Sequence, residues 1–62
     1  MTGTVIRPAL YYLEGQVRAT DGSIHYFWPG AAGGEGIKKL GDSATFTSVT
    51  EDGAPNRIRT IS

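Results

Sequence analysis

Residues 15–28 have the sequence GQVRATDGSIHYFW. Two β-prone runs lie in it, Gly15–Ala19 and Ser23–Trp28, and the second is rich in aromatic residues. The dipeptide Asp21-Gly22 between them is favoured in tight hairpin turns. Pro29-Gly30 then ends the second run. This stretch therefore predicts a β-hairpin.

Three further β-prone runs complete the pattern. Thr4–Arg7 precedes the hairpin, and Ser43–Thr50 and Arg57–Ile61 follow it, with the turn-forming cluster Glu51–Asn56 between the last two. Helix signals are weak, because no apolar stripe of helical spacing persists over three turns. The best helical candidate is a turn or two around Ala31-Ala32.

The chain length and the lack of cysteine limit the folds that are possible. The 62 residues make one domain, 1–62, and without cysteine it has neither disulfides nor thiolate metal sites. Five short strands then need a shape that removes exposed sheet edges. A glycine-rich stretch, Pro29–Asp42, separates the third and fourth strands. We predict an all-β fold, a five-stranded antiparallel OB-type barrel, with an SH3-like barrel as the nearest competitor.

The charge and motif content excludes several function classes. Six basic residues balance six acidic ones, so the net charge gives no global nucleic-acid signal. No apolar run approaches the roughly 18 residues of a membrane span, and the start does not resemble a secretory signal, so a cytoplasmic location is expected. His25 is the sole histidine, and the acidic residues are spread over turns. We therefore predict no catalytic residues, no metal site and no cofactor.

Several segments resemble bacterial cold-shock domains. Residues 34–40, GEGIKKL, are similar to the family segment Gly-Glu-Gly-Phe-Lys-Thr-Leu. The opening TGTV at residues 2–5 and the turn EDGAP at residues 51–55 are similar to the corresponding family segments. The resemblance implies an OB-type barrel that binds single-stranded DNA or RNA on an aromatic face.

The chain departs from the family pattern on that face. Both base-stacking phenylalanines of the second strand are replaced, by Glu14 and Gln16. The tryptophan and phenylalanine of the family's first strand fall on Arg7 and Pro8. Aromatic character persists on the third strand, where alternation directs Tyr26 and Trp28 outward and Phe27 inward.

These features predict a weak binding protein for single-stranded RNA or DNA. Stacking on aromatic rings beside a cationic track is the chemistry that such binding needs. The predicted contact residues are Arg7, Tyr12, Arg18, Tyr26, Trp28, Lys38 and Lys39.

The alternative is a protein-interaction module that kept the fold and lost the nucleic-acid face. The apolar segment Pro8–Leu13 favours it, because exposed apolar patches commonly mark protein contacts. A protein partner or a homodimer would then bind through Leu10, Tyr11 and Leu13, and no membrane is involved. Equally, this segment is expected to fold over the barrel mouth and fill it.

Overall fold

The computed structural model of the chain describes residues 1–32 and 38–62. It contains five strands and one short 3₁₀ helix. In chain order these are β1 (Thr2–Arg7), β2 (Gly15–Ala19), β3 (Ile24–Phe27), the 3₁₀ helix η1 (Pro29–Ala32), β4 (Ser43–Glu51) and β5 (Ala54–Ile61). Within the described ranges, no helix is long and apolar enough to cross a membrane.

The strands form one mixed sheet that closes on itself in the order β1-β2-β3-β5-β4. Four neighbouring pairs are antiparallel, whereas β3 and β5 are parallel, with Tyr26 opposite Arg57. The all-β prediction is confirmed, but the prediction of a wholly antiparallel sheet is wrong. A closed ring with an odd number of strands cannot alternate direction throughout, so at least one pair must be parallel.

Two Asp-Gly turns each connect the two strands of an antiparallel hairpin, β2 to β3 and β4 to β5. At the β2–β3 turn, Gly22 has a positive φ, and the N–H of Ala19 donates to the carbonyl of Ser23 at 2.8 Å. At the β4–β5 turn, Asp52 and Gly53 have φ values of 51° and 80°. Positive φ at both central residues is typical of a type I′ turn, whose twist matches that of the strands it joins.

The core lies inside the ring and is built from residues that alternate along the strands. Phe27, Val5 and Val17 are its largest fully buried side chains. Gly15 is required beside Phe27, because a Cβ atom there would lie 2.4 Å from the phenylalanine ring. The complete apolar core is Val5, Ala9, Val17, Ala19, Phe27, Ala44, Phe46, Ile58 and Ile61.

The apolar loop between β1 and β2 has a buried base and an exposed tip. Ala9 is buried in the core. Leu10 and Leu13 form a backbone bridge that places Tyr11 and Tyr12 at the tip, where they are 82% and 83% exposed. The base of this loop therefore packs on the core and its tip projects outward, while binding of a partner through it stays a prediction.

Candidate nucleic-acid interface

One row of residues crosses four neighbouring strands in register. Arg7 of β1 lies opposite Gln16 of β2, which lies opposite Tyr26 of β3, which lies opposite Arg57 of β5. We call these four residues the four-strand row. A β-bulge between Val5 and Arg7 in β1 brings Arg7 to this position. The row places one aromatic ring and one amide between two guanidinium groups.

Glu14 lies between the two arginines of the four-strand row. Its carboxylate forms an ion pair with Arg57, and its backbone carbonyl accepts a hydrogen bond from Nε of Arg7 at 2.8 Å. Both partners in the ion pair are largely shielded from solvent. Arg57 therefore neutralises the negative charge that Glu14 places beside the four-strand row.

Arg18 lies next to the four-strand row, on the same side of the sheet. It is opposite Thr4 of β1 and Ile24 of β3. Its side chain lines a shallow groove of about 610 Å³ across β4, β1 and β2, which is rich in hydroxyl groups. The hydroxyl-bearing lining residues are Thr2, Thr4, Thr20, Ser43 and Thr45. Hydroxyl and guanidinium groups are common donors to phosphate oxygens.

Trp28 follows β3 and is 45% exposed. It borders a second depression of about 290 Å³, which we call the Trp28 cleft; its lining residues are Trp28, Gly30, Ala31, Glu51, Arg57, Ile58 and Arg59. Arg59 is 3.9 Å from the carboxylate of Glu51, and both side chains are mostly in solvent. Arg57 is shared between the Trp28 cleft and the four-strand row.

The other predicted contact residues lie away from this arrangement. Tyr12 is at the tip of the β1–β2 loop. Lys38 is half-buried and Lys39 exposed. The turn from Lys39 to Asp42 is hydrogen-bonded to Val5 of β1, and not to the four-strand row. The structure therefore brings together Arg7, Tyr26, Trp28 and, beside them, Arg18. Residues 33–37, which include most of the GEGIKKL segment, lie outside the described residues.

Gln16, Arg57 and Arg59 were not among the candidate residues predicted from the sequence, although the structure places all three in this arrangement. Gln16 was read only as a lost stacking position, although its amide can donate and accept hydrogen bonds. The signal for the arginines was the order Arg57-Ile58-Arg59, where burial of the isoleucine leaves both neighbours facing outward. That alternation did not show which strand β5 would join.

His25 is structural. It is 4% exposed and packs inside the ring, with its ring centroid 5.1 Å from that of Phe46. Nε2 shares a hydrogen bond with Ser23 and Nδ1 with Ser48, each at 2.7 Å. The hydroxyl and amide N–H of Ser23 both donate to Asp21 and lower the pKa of that carboxyl. The described residues contain no group of three or more His, Cys, Asp or Glu side chains that could hold a metal ion.

No protein-family model, curated protein or solved structure matches this chain.

Proposed function

We propose that the protein binds single-stranded RNA or DNA weakly across the outward face of β1, β2 and β3. The observation that carries this proposal is the four-strand row, with Tyr26 and Gln16 between the guanidinium groups of Arg7 and Arg57. Bases stack on aromatic rings, and phosphates pair with neighbouring cations. Trp28, which directly follows β3, provides a second ring two residues after Tyr26.

The surroundings of the row support the same ligand. Arg18 and the hydroxyl-lined groove lie beside it and supply donors for the sugar-phosphate backbone. Because Arg57 neutralises Glu14, the acidic side chain does not repel a phosphate as an isolated carboxylate would. Overall charge neutrality is compatible with binding, since Arg7 and Arg18 lie near Tyr26 on one side of the sheet.

We further propose that the ring is an OB-type barrel. Its strand order and the closing β1–β4 pair support this assignment, as does the position of the row, because OB-type barrels bind oligonucleotides on the face of strands two and three. The cold-shock resemblance remains part of this proposal. A cytoplasmic location likewise stays a prediction from the sequence.

Titration with oligothymidine, followed through Trp28 fluorescence and amide chemical shifts, tests the nucleic-acid proposal. We expect quenching of Trp28 and shifts at Gln16 and Arg18. If two arginines contact phosphates, the logarithm of the binding constant should fall with the logarithm of salt concentration with a slope of about −1.4. Unchanged Trp28 emission and unchanged amide shifts at millimolar oligothymidine would refute the proposal.

Two charge-matched variants separate binding on the face of β1, β2 and β3 from general electrostatic attraction. Arg18→Gln should weaken binding and reduce the salt slope by about 0.7, the contribution of one phosphate contact to a single strand. Lys39→Gln removes the same charge from the turn beside Val5, so its effect should be smaller. Equal losses of affinity in the two variants would contradict binding on the face of β1, β2 and β3.

A second candidate function is protein interaction through the tip of the β1–β2 loop. The observation that favours it is the exposure of Tyr11 and Tyr12 on a tight turn, with Leu13 partly exposed beside them. Adjacent exposed aromatic rings are enriched at protein interfaces. Sedimentation at high concentration tests for a homodimer, which Tyr12→Ser should dissociate. A strictly monomeric wild-type chain would exclude the homodimer.

A further inference from the structure

We infer that the Trp28 cleft is a subsite for one nucleotide, with its base against Trp28 and its phosphate on Arg59. This inference deepens the proposed function, on which its ligand class depends. It assigns a role to η1 and to Arg59 of β5, which the four-strand row does not include.

The residues around the cleft differ in chemistry from one side to the other. Trp28 supplies an exposed aromatic surface, and Gly30 and Ala31 of η1 add small walls. A Cβ atom at Gly30 would meet nothing within 4 Å, so the space above this residue is open. The remaining lining comes from β4 and β5 and carries Arg57, Arg59 and the carboxylate of Glu51. A planar ring with an attached anion fits such a cleft, because the ring can stack on Trp28 while the anion pairs with an arginine.

The size of the cleft favours one nucleotide over a longer segment. Its volume is about 290 Å³. Small-molecule sites start at about 300 Å³, so this space is at the lower limit of such sites. A longer strand must therefore continue elsewhere, and the four-strand row reaches the cleft through the shared residue Arg57.

The two arginines of the cleft are not equally available to a phosphate. Arg57 forms a shielded ion pair with Glu14. Arg59 is 66% exposed, and its 3.9 Å separation from Glu51 is at the limit of an ion pair. Such exposed pairs are weak, so a phosphate can replace the carboxylate of Glu51. Arg59 is therefore the phosphate contact, and Glu51 is its competitor.

Titration with thymidine 5′-monophosphate, compared with thymidine, tests this inference. The readouts are Trp28 emission and the amide shifts of Gly30 and Ala31. We expect the monophosphate to bind about two- to five-fold more tightly than thymidine, the size of effect typical of one exposed charge contact. Equal responses to the two ligands, or no response at millimolar monophosphate, would overturn the inference.

Two variants of the ion pair should act in opposite directions. Arg59→Gln should reduce monophosphate affinity to that of thymidine, whereas Glu51→Gln should increase it about two- to five-fold by removing the competitor. Lys39→Gln is the control, because the turn that carries Lys39 is hydrogen-bonded to Val5 of β1 and lies away from the cleft, so it should not affect monophosphate binding. A loss of affinity in Glu51→Gln would also overturn the inference.

The two proposals fail in distinguishable ways. Oligothymidine that shifts Gln16 and Arg18 without any response at Trp28, Gly30 or Ala31 would overturn the subsite and support the row. Monophosphate binding at the cleft without oligothymidine shifts at Gln16 and Arg18 would support the subsite and refute the row.

Discussion

At the scale of single residues, His25 shows how a buried polar group is satisfied. The Asp21 carboxylate only accepts hydrogen bonds, so the Ser23 hydroxyl donates to it, and its oxygen accepts from Nε2 of His25. Nδ1 on the other side of the ring shares a hydrogen bond with the Ser48 hydroxyl. This chain links the β2–β3 turn to β4 through the interior of the ring.

Ser48→Ala should destabilise the protein by about 1–3 kcal/mol, because it leaves Nδ1 of His25 buried without its partner. Thr47→Ala is the neighbouring control. It removes a hydroxyl hydrogen bond to Thr60 that is exposed to solvent, where water replaces the lost partner, so its effect should be smaller. Chemical denaturation measures the free energy of unfolding of both variants, and equal losses would contradict a buried hydrogen-bond network at His25.

At the scale of elements, the β4–β5 turn depends on backbone conformation alone. Gly53→Ala should destabilise the protein by about 1 kcal/mol or more, because φ is 80° there and alanine adopts a positive φ poorly. No atom lies within 4 Å of the new Cβ, so backbone strain and not a steric clash causes this loss. Gly30→Ala is the matched control. It also has open space but no positive φ, so it should be neutral or slightly stabilising. Thermal melts measure the stability of both variants, and similar destabilisation of the two would refute the need for a positive φ at Gly53.

The strands were predictable where the sequence alternates and turn residues mark their ends. The predicted limits of β2, Gly15–Ala19, are those observed. The start of β5 was predicted three residues late, because Pro55 and Asn56 are typical turn residues. In the structure Asp52 and Gly53 alone make the turn, and Asn56 continues the strand with a φ of 60°.

Pairing between distant elements was not predictable from local patterns. Alternation indicates which side chains point outward, but not that β5 runs parallel to β3. For the same reason the sequence identified Tyr26 and Trp28 but not their neighbour Arg57. The ion pair between Glu14 and Arg57 joins residues far apart in the chain, so the charge compensation appears only once the ring is closed.

At the scale of the whole molecule, the ring consists of two units joined along two seams. β1, β2 and β3 form one unit, and β4 and β5 form the other. One seam pairs Thr2, Gly3 and Thr4 with β4. Over the described residues, the other seam has Tyr26 opposite Arg57, and Nδ2 of Asn56 adds a hydrogen bond to the carbonyl of Ile24 at 2.9 Å.

Asn56→Ala should destabilise the closed ring by about 1–3 kcal/mol, because alanine loses the side-chain hydrogen bond and tolerates a φ of 60° poorly. Asn56→Gly loses only the hydrogen bond, since glycine adopts positive φ readily, and it should cost less than Asn56→Ala. Denaturation of both variants checks the order, and a more stable alanine variant would show that this seam does not limit stability.

The sparse β3–β5 seam has a consequence for ligand binding. The Trp28 cleft spans that seam, with Trp28 on one unit and Arg57 and Arg59 on the other. A nucleotide held there binds only when the two units are together, so it stabilises the closed ring by mass action. Amide hydrogen exchange at Arg57 should then slow as ligand is added. Opening of the ring at this seam and ligand binding in the cleft are thus coupled equilibria, and each lowers the extent of the other.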